Sequence, residues 1–256
     1  MNLRTTLKQI PAFKWFVMFL RTLKRKHGIL ATMKEFAGFC RDWRSYRKLS
    51  RNSSFALETG DIYPRLFDKT STTGIDPVYF YQDTWCARKL FENKPIHHVD
   101  VGSKADLVGT ISQFVPTTMV DIRPLEVTLP ELSFIKGSIL NLPFKDNEVS
   151  SLSSICVIEH IGLGRYGDPL DPFGSEKAAK ELVRVLAPGG SLYISVPIDS
   201  KNKVYFNAHR AFTRDHILKI FSPLKLIEEK YVYGMNLDDF YNLAKKFGTG
   251  LFWFKK

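Results

Sequence analysis

From residue 97 onward, short apolar runs rich in β-branched residues alternate with stretches of helical periodicity, and that alternation restricts the fold. A strand that is followed by a helix and then by another strand of the same sheet needs a crossover. Crossovers make the strands parallel and lay helices over the sheet faces. Strands are expected at residues 97–102, 117–122, 133–137, 149–158, 191–198, 225–233 and 251–254. Helices are expected at 78–92, ending before Pro95, and at 175–186, stopped by Ala187-Pro188-Gly189-Gly190. A third, at 213–221, starts behind the capping residue Thr213. The expectation is an α/β fold with a Rossmann-like, mostly parallel sheet of seven strands.

The chain ahead of this region has a different character. Residues 1–50 hold 12 Lys and Arg against Glu35 and Asp42, a net +10 out of the +11 of the whole chain, so the remainder is nearly neutral. A basic arm on a neutral domain points to an anionic partner for the arm alone. Phe13, Phe16, Val17, Leu20 and Leu23 share one helical face while Lys14, Arg21 and Arg25 gather on another. This suits a helix lying on an anionic membrane surface through residues 1–26, and equally a helix packed on the following domain. The apolar run is shorter than the roughly 20 residues that a span needs, and no small-residue cleavage site follows it. Ile29, Met33, Phe36, Ala37, Cys40 and Trp43 recur at helical spacing and predict a second, core-packed helix with Arg41, Arg44, Arg47 and Lys48 in water. The expected organisation is a basic helical extension (1–50), a linker (51–77) and an α/β domain (78–256). No nucleic-acid partner is expected, because no recognisable nucleic-acid fold interleaves these bases with aromatics. Three widely spaced cysteines, Cys40, Cys86 and Cys156, suit reduced thiols in the cytoplasm and show no metal-ligand spacing. The whole is expected to be cytoplasmic, with the arm at the inner membrane face as its peripheral option.

Open parallel sheets bind ligands beyond the carboxyl ends of their strands, where the strand order reverses. The first strand ends in Asp100-Val101-Gly102-Ser103-Lys104, and the second in Asp121-Ile122-Arg123-Pro124. A glycine at a strand-to-helix turn lets the backbone approach a ligand closely. An acid at the end of the second strand can accept both hydroxyls of a ribose. Each acid could also simply cap a neighbouring helix or turn. His97 and His98 start the first strand, at the opposite end, and are expected to be structural. Tyr241 and Lys245 match a dehydrogenase Tyr-x-x-x-Lys spacing, but Gly102-Ser103-Lys104 lacks the dinucleotide glycines, so the match is read as chance.

Three further segments carry a resemblance. They are Gly137-Ser138-Ile139-Leu140-Asn141-Leu142-Pro143-Phe144, then Ile158-Glu159-His160, then Glu181-Leu182-Val183-Arg184-Val185-Leu186-Ala187-Pro188-Gly189-Gly190. In order and spacing they resemble the class I S-adenosylmethionine-dependent methyltransferases. With Gly162-Leu163-Gly164-Arg165-Tyr166-Gly167-Asp168-Pro169-Leu170-Asp171-Pro172, Tyr81-Gln82-Asp83 and Tyr205-Phe206-Asn207-Ala208-His209-Arg210, residues 78–215 are similar to an uncharacterised methyltransferase-like family. That domain-of-unknown-function group is associated with bacterial surface-polysaccharide biosynthesis.

The resemblance implies S-adenosylmethionine held by Asp100, Gly102, Ser103, Asp121, Ile122, Ser138 and Ile139. It places Glu159 and His160 at the methyl-transfer centre. Lys104 stands where such enzymes usually have a second glycine, and Ser138 where they often have an acid. Transfer from a sulfonium needs alignment, exclusion of water and, for a hydroxyl acceptor, a base. His160 is the base candidate, with Glu159, Arg165 and Asp168 as further catalytic candidates. Tyr166, Asp171, Asn207 and His209 are candidate contacts to a sugar, nucleotide-sugar or lipid-linked glycan, and Arg210 is expected on the same rim as Asn207 and His209. Glu159 pairing with Arg165, or the aspartates acting only as turn formers, remains the alternative. Glu159, His160, Asp168 and Asp171 match no standard metal-ligand set, so no metal is expected.

Overall fold

A computed structural model of the chain describes residues 28–58 and 62–256. The expected membrane-surface helix within residues 1–26 lies outside the described residues. Backbone contacts divide the chain between Gly74 and Ile75. In the first unit, α1 (Ile29–Leu49) spans the expected residues, with Phe36, Cys40 and Trp43 half-buried. Ile29 and Met33, expected in a core, are exposed, and Thr32 is the one buried residue of the helix.

The second unit opens with α2 (Pro77–Asn93), followed by β1 (His98–Val101), α3 (Ala105–Ser112), β2 (Thr117–Asp121), β3 (Leu132–Lys136) and β4 (Val149–Ile155). Then come α4 (Gly174–Val185), β5 (Leu186–Ile198), β6 (Lys203–Tyr205), β7 (His209–Ala211) and α5 (Arg214–Ile220). The chain closes with β8 (Lys225–Tyr233), β9 (Asn236–Asp238) and β10 (Gly248–Lys255). The main sheet has eight strands in the order β3-β2-β1-β4-β5-β10-β8-β9. The seven expected strands are all present. The eighth is β9, three residues that fold back antiparallel on β8 and are too short to carry a periodic signal. β1 to β5 run parallel, whereas β10 enters antiparallel between β5 and β8.

Side-chain alternation divides the core between the two sheet faces. On β5, Tyr193 joins Trp85, Leu90, Leu107 and Ile111 under α2 and α3. Its neighbours Leu192 and Ile194 point the other way, joining Leu182, Ile217 and Phe252 under α4 and α5. With both faces covered, β5 is apolar almost throughout, as a central parallel strand must be. Its serines lie at hydrogen-bonding sites, such as Ser195, whose hydroxyl donates to Gln82. At the amino end of β1, His98 is buried with its ring nitrogens 2.8 and 2.9 Å from the hydroxyls of Ser151 and Ser153. Burial pushes its pKa down to about 3, which is the signature of a neutral, structural histidine.

Candidate active site

The strand order reverses at β1, which lies between β2 and β4, and a cleft opens beyond the carboxyl ends of these strands. It consists of a chamber of ≈ 730 Å³ and a second of ≈ 340 Å³. Gly102, Asp121, Arg123, Cys156, His160 and Tyr166 line both chambers.

Gly102 makes the turn from β1 to α3 with φ +73°, and an added Cβ would stand 3.0 Å from Val157 Cγ1. Only glycine takes this conformation without strain, and its missing side chain is what keeps the berth open. Lys104 borders the larger chamber but does not fill it. Its side chain is 52% exposed, pairs with Asp106 at 2.9 Å and lies over the Tyr79 ring. Across the cleft Asp121, only 9% exposed, accepts the Arg123 backbone N–H at 2.8 Å through Oδ1. Its Oδ2 makes only a long 3.5 Å contact with the Arg123 guanidinium, so capacity remains for ligand hydroxyls. Ile122, Ser138 and Ile139 line the smaller chamber.

Asp100 behaves otherwise than expected. It is fully buried, and its oxygens accept from the Ser103 N–H (3.0 Å), the Ser103 hydroxyl (2.6 Å) and the Ser153 hydroxyl (2.5 Å). Burial raises its pKa to about 6. Asp100 therefore shapes the glycine turn from beneath and does not line either chamber. The Ser103 hydroxyl is committed to it in turn.

At the larger chamber, β4 is followed by a short 3-10 turn, Ile158–His160, that swings two titratable side chains into the cleft. Glu159 is 1% exposed, and its Oε2 has no hydrogen-bond partner. Burial raises its pKa to about 8. His160 Nδ1 is 2.7 Å from the Ala208 carbonyl, which can only accept, and 3.3 Å from Arg165 Nη1, which can only donate; the shorter contact dominates, so Nδ1 carries the proton and Nε2 the lone pair. Burial, with Arg165 nearby, lowers the His160 pKa to about 4. This makes it a much weaker base than an ordinary histidine, contrary to the sequence expectation. Arg165 donates to the same carbonyl at 2.8 Å and lies over Tyr166, so it is not paired to Glu159.

The loop between the turn and α4 consumes the other candidates. Asp168 accepts the Gly162 and Tyr166 N–H groups, and these bonds hold its pKa below the usual range despite partial burial. Asp171 accepts the Phe173 N–H at 2.9 Å and pairs with Lys177 at 2.6 Å. Gly162 (φ +84°) permits this closure, since a Cβ there would collide with the Asp171 carbonyl. Arg210, expected on the rim, is buried and donates to the Ile161 and Asp171 carbonyls. Asp168 lines only the smaller chamber, while Asp171 and Asn207 line neither. Neither aspartate is free for catalysis or sugar contact, because each is spent on backbone amides. Tyr166 and His209 do face the larger chamber.

Several lining residues escaped the sequence reading. Tyr79 comes from α2, whose first turn is capped by Asp76 at 3.0 Å. The helix is tied over the sheet by Gln82, whose Oε1 accepts the Cys156 thiol and the Ser195 hydroxyl. Arg123 lies over the Tyr166 ring at 4.8 Å and bridges the cleft, and Phe247 arrives from the segment before β10. Only the Tyr81-Gln82-Asp83 likeness pointed towards α2. Tyr241 and Lys245 do not meet in a site, because Tyr241 donates to the Asp199 carbonyl and Lys245 pairs with Asp238.

Solved structures with this architecture include the N-methyltransferase NodS from Bradyrhizobium japonicum WM9 in complex with S-adenosyl-L-homocysteine. It shares 14% identity at a TM-score of 0.53, covering 71% of this chain and 88% of that chain. A second structure of the same protein gives 15% identity at TM-score 0.53, covering 71% and 97%. The fold is that of the class I methyltransferases. A family model described as "Caenorhabditis protein of unknown function, DUF268" matches residues 144–235. That description gives the expected association with bacterial surface polysaccharides no support. No curated protein matches the chain.

Proposed function

We propose that the chain is an S-adenosylmethionine-dependent methyltransferase acting on a small molecule. The observation that carries this reading is the Gly102 turn facing the under-used Asp121 carboxylate across a cleft that Lys104 leaves open. Gly102 would admit the methionine end, Asp121 Oδ2 would accept ribose hydroxyls, and Ile122, Ser138 and Ile139 would border the adenine. The bound sulfonium supplies an activated methyl group. The chain's own residues position the acceptor in the larger chamber: Glu159 and His160 from its floor, and Tyr79, Tyr166, His209 and Phe247 from its walls. Displacement there depends chiefly on alignment and exclusion of water.

Calorimetry with S-adenosylhomocysteine tests the reading. Micromolar binding that is lost in Asp121→Ala supports it, whereas absence of binding at millimolar ligand points instead to a scaffold that kept the fold without the donor. The finer expectation of a sugar, nucleotide-sugar or lipid-linked glycan hydroxyl now rests on Arg165, Tyr166 and His209, since the loop consumes Asp168 and Asp171 and Asn207 lines neither chamber. No helix among the described residues is long and apolar enough to cross a membrane. Contact of residues 1–26 with an anionic membrane surface remains a proposal from sequence. Deleting them should abolish sedimentation with phosphatidylserine vesicles, and retained sedimentation would refute the assignment.

A further inference from the structure

We propose that the atom methylated is an amine nitrogen, received by Glu159 and His160; this rests on the methyltransferase reading above. Glu159 Oε1 and His160 Nε2 lie 3.7 Å apart at the floor of the larger chamber. Nε2 is the lone-pair nitrogen because Nδ1 is committed to Ala208, and Glu159 Oε2 has no hydrogen-bond partner, although its own backbone N–H and the Cys156 thiol favour the ionised carboxylate. A buried polar atom without a partner is costly, and evolution leaves one mainly where a ligand completes it. With Glu159 ionised by an incoming cation, the pair presents two adjacent acceptors and calls for a group with two or more donated protons. An amine or ammonium has them and a hydroxyl has one.

The surrounding cations do not answer this demand. Lys104 is paired with Asp106, Arg123 with Asp121, and Arg165 is directed at the Ala208 carbonyl and the Tyr166 ring. The Cys156 thiol donates to Gln82, and burial raises its pKa well above the ordinary value. Among the described residues no lysine or arginine forms an ion pair with Glu159.

The protonation states also favour nitrogen over oxygen. At neutral pH the floor holds a neutral acid and a neutral, weakly basic imidazole. Such a floor is poorly equipped to deprotonate an alcohol. An amine needs only to arrive as, or revert to, its free base. An entering ammonium drives the Glu159 proton out to solvent and pairs with the carboxylate that remains; the carboxylate then takes one proton from the ammonium, which leaves a neutral nitrogen with its lone pair. That pair forms the N–C bond as the methyl carbon–sulfur bond breaks, and the sulfur keeps the electrons of the broken bond. The methylated product leaves as an ammonium or gives its surplus proton to water, since His160 is too weak a base to hold it.

The test uses the full chain saturated with S-adenosylhomocysteine, titrated at pH 7 with benzylamine and with benzyl alcohol in phosphate and in Tris. The expected result is at least ten-fold tighter binding of the amine. Buffer dependence should reveal release of about one proton as Glu159 ionises against the ammonium. In Glu159→Gln the preference should fall below two-fold with S-adenosylhomocysteine affinity unchanged, which also verifies folding. Equal binding of the two probes, binding of neither, or a preference that survives Glu159→Gln would overturn the proposal. A selective loss of S-adenosylhomocysteine affinity in that variant would also overturn it, by assigning Glu159 to the donor. Absence of S-adenosylhomocysteine binding to the unaltered chain is read first and refutes the methyl-transfer reading itself.

Discussion

The two halves of the cleft are built on different plans. The half proposed for the methyl donor (the donor half, as against the proposed acceptor half) is mostly backbone: a glycine turn after β1, one carboxylate after β2, and the apolar residues beyond β3. Its elements follow one another closely in sequence. The acceptor half is made of side chains from α2, the turn after β4, the β6–β7 hairpin and the segment before β10. A donor site of this kind tolerates great sequence change, provided that the turn and the acid persist. The acceptor half depends on which distant segments the sheet order brings together, and it is free to diversify.

This contrast can be broken by substitution. The largest effect is expected at Asp121: removing a carboxylate that receives ribose hydroxyls costs about 2–3 kcal/mol, so Asp121→Ala should weaken S-adenosylhomocysteine binding roughly 100-fold in calorimetry. Gly102→Ala follows. It adds about 1–2 kcal/mol of left-handed backbone strain and crowds Val157, for a loss of roughly ten-fold in the same measurement. If either variant binds normally, the donor half is not where it is placed here.

Glu159 provides a pH test of the acceptor half. In the folded chain its pKa is about 8, against an ordinary 4.5, so between these values the folded state holds the extra proton. Stability then falls as pH rises, by roughly 1 kcal/mol per pH unit at most. His98 and His160, with pKa values lowered from 6.5, act in the opposite sense, but only below that pH. Urea denaturation from pH 6.5 to 8 should therefore show a decline that Glu159→Gln abolishes. A flat profile in the unaltered chain would show the carboxyl to be solvated.

Tyr79→Ala should leave S-adenosylhomocysteine affinity within about two-fold while weakening benzylamine binding by about 1 kcal/mol, since the ring walls only the larger chamber. An equal loss of both ligands would erase the division into halves. Lys104→Ala is expected to do least, below two-fold on either ligand, because its ammonium is exposed and paired to Asp106.

The residues of the proposed donor half stand where the sequence already placed the end of the sheet that takes ligands. Gly102 and Asp121 stand at the ends of two clearly periodic strands, and such ends face the switch point in any sheet of this class. Asp100 was misjudged because an acid at a strand end can turn inwards or outwards. The two serine hydroxyls that hold it inwards come from β4 and from the turn itself. Asp168, Asp171 and Arg210 were misjudged for a related reason. A polar residue that completes a loop's backbone hydrogen bonds has the same composition signal as one that awaits a ligand.

By itself the sequence determined the class of sheet, its seven longer strands and the place where a ligand must enter, because strand periodicity and crossover geometry are local or nearly local constraints. Tertiary structure alone decided which polar atoms remain unpartnered there. That outcome depends on where α2 is fastened by Gln82, on the insertion of β10 between β5 and β8, and on the carbonyl that fixes the tautomer of His160. Each of these joins residues far apart in the chain, and satisfaction of a hydrogen bond is a property of the neighbours in space.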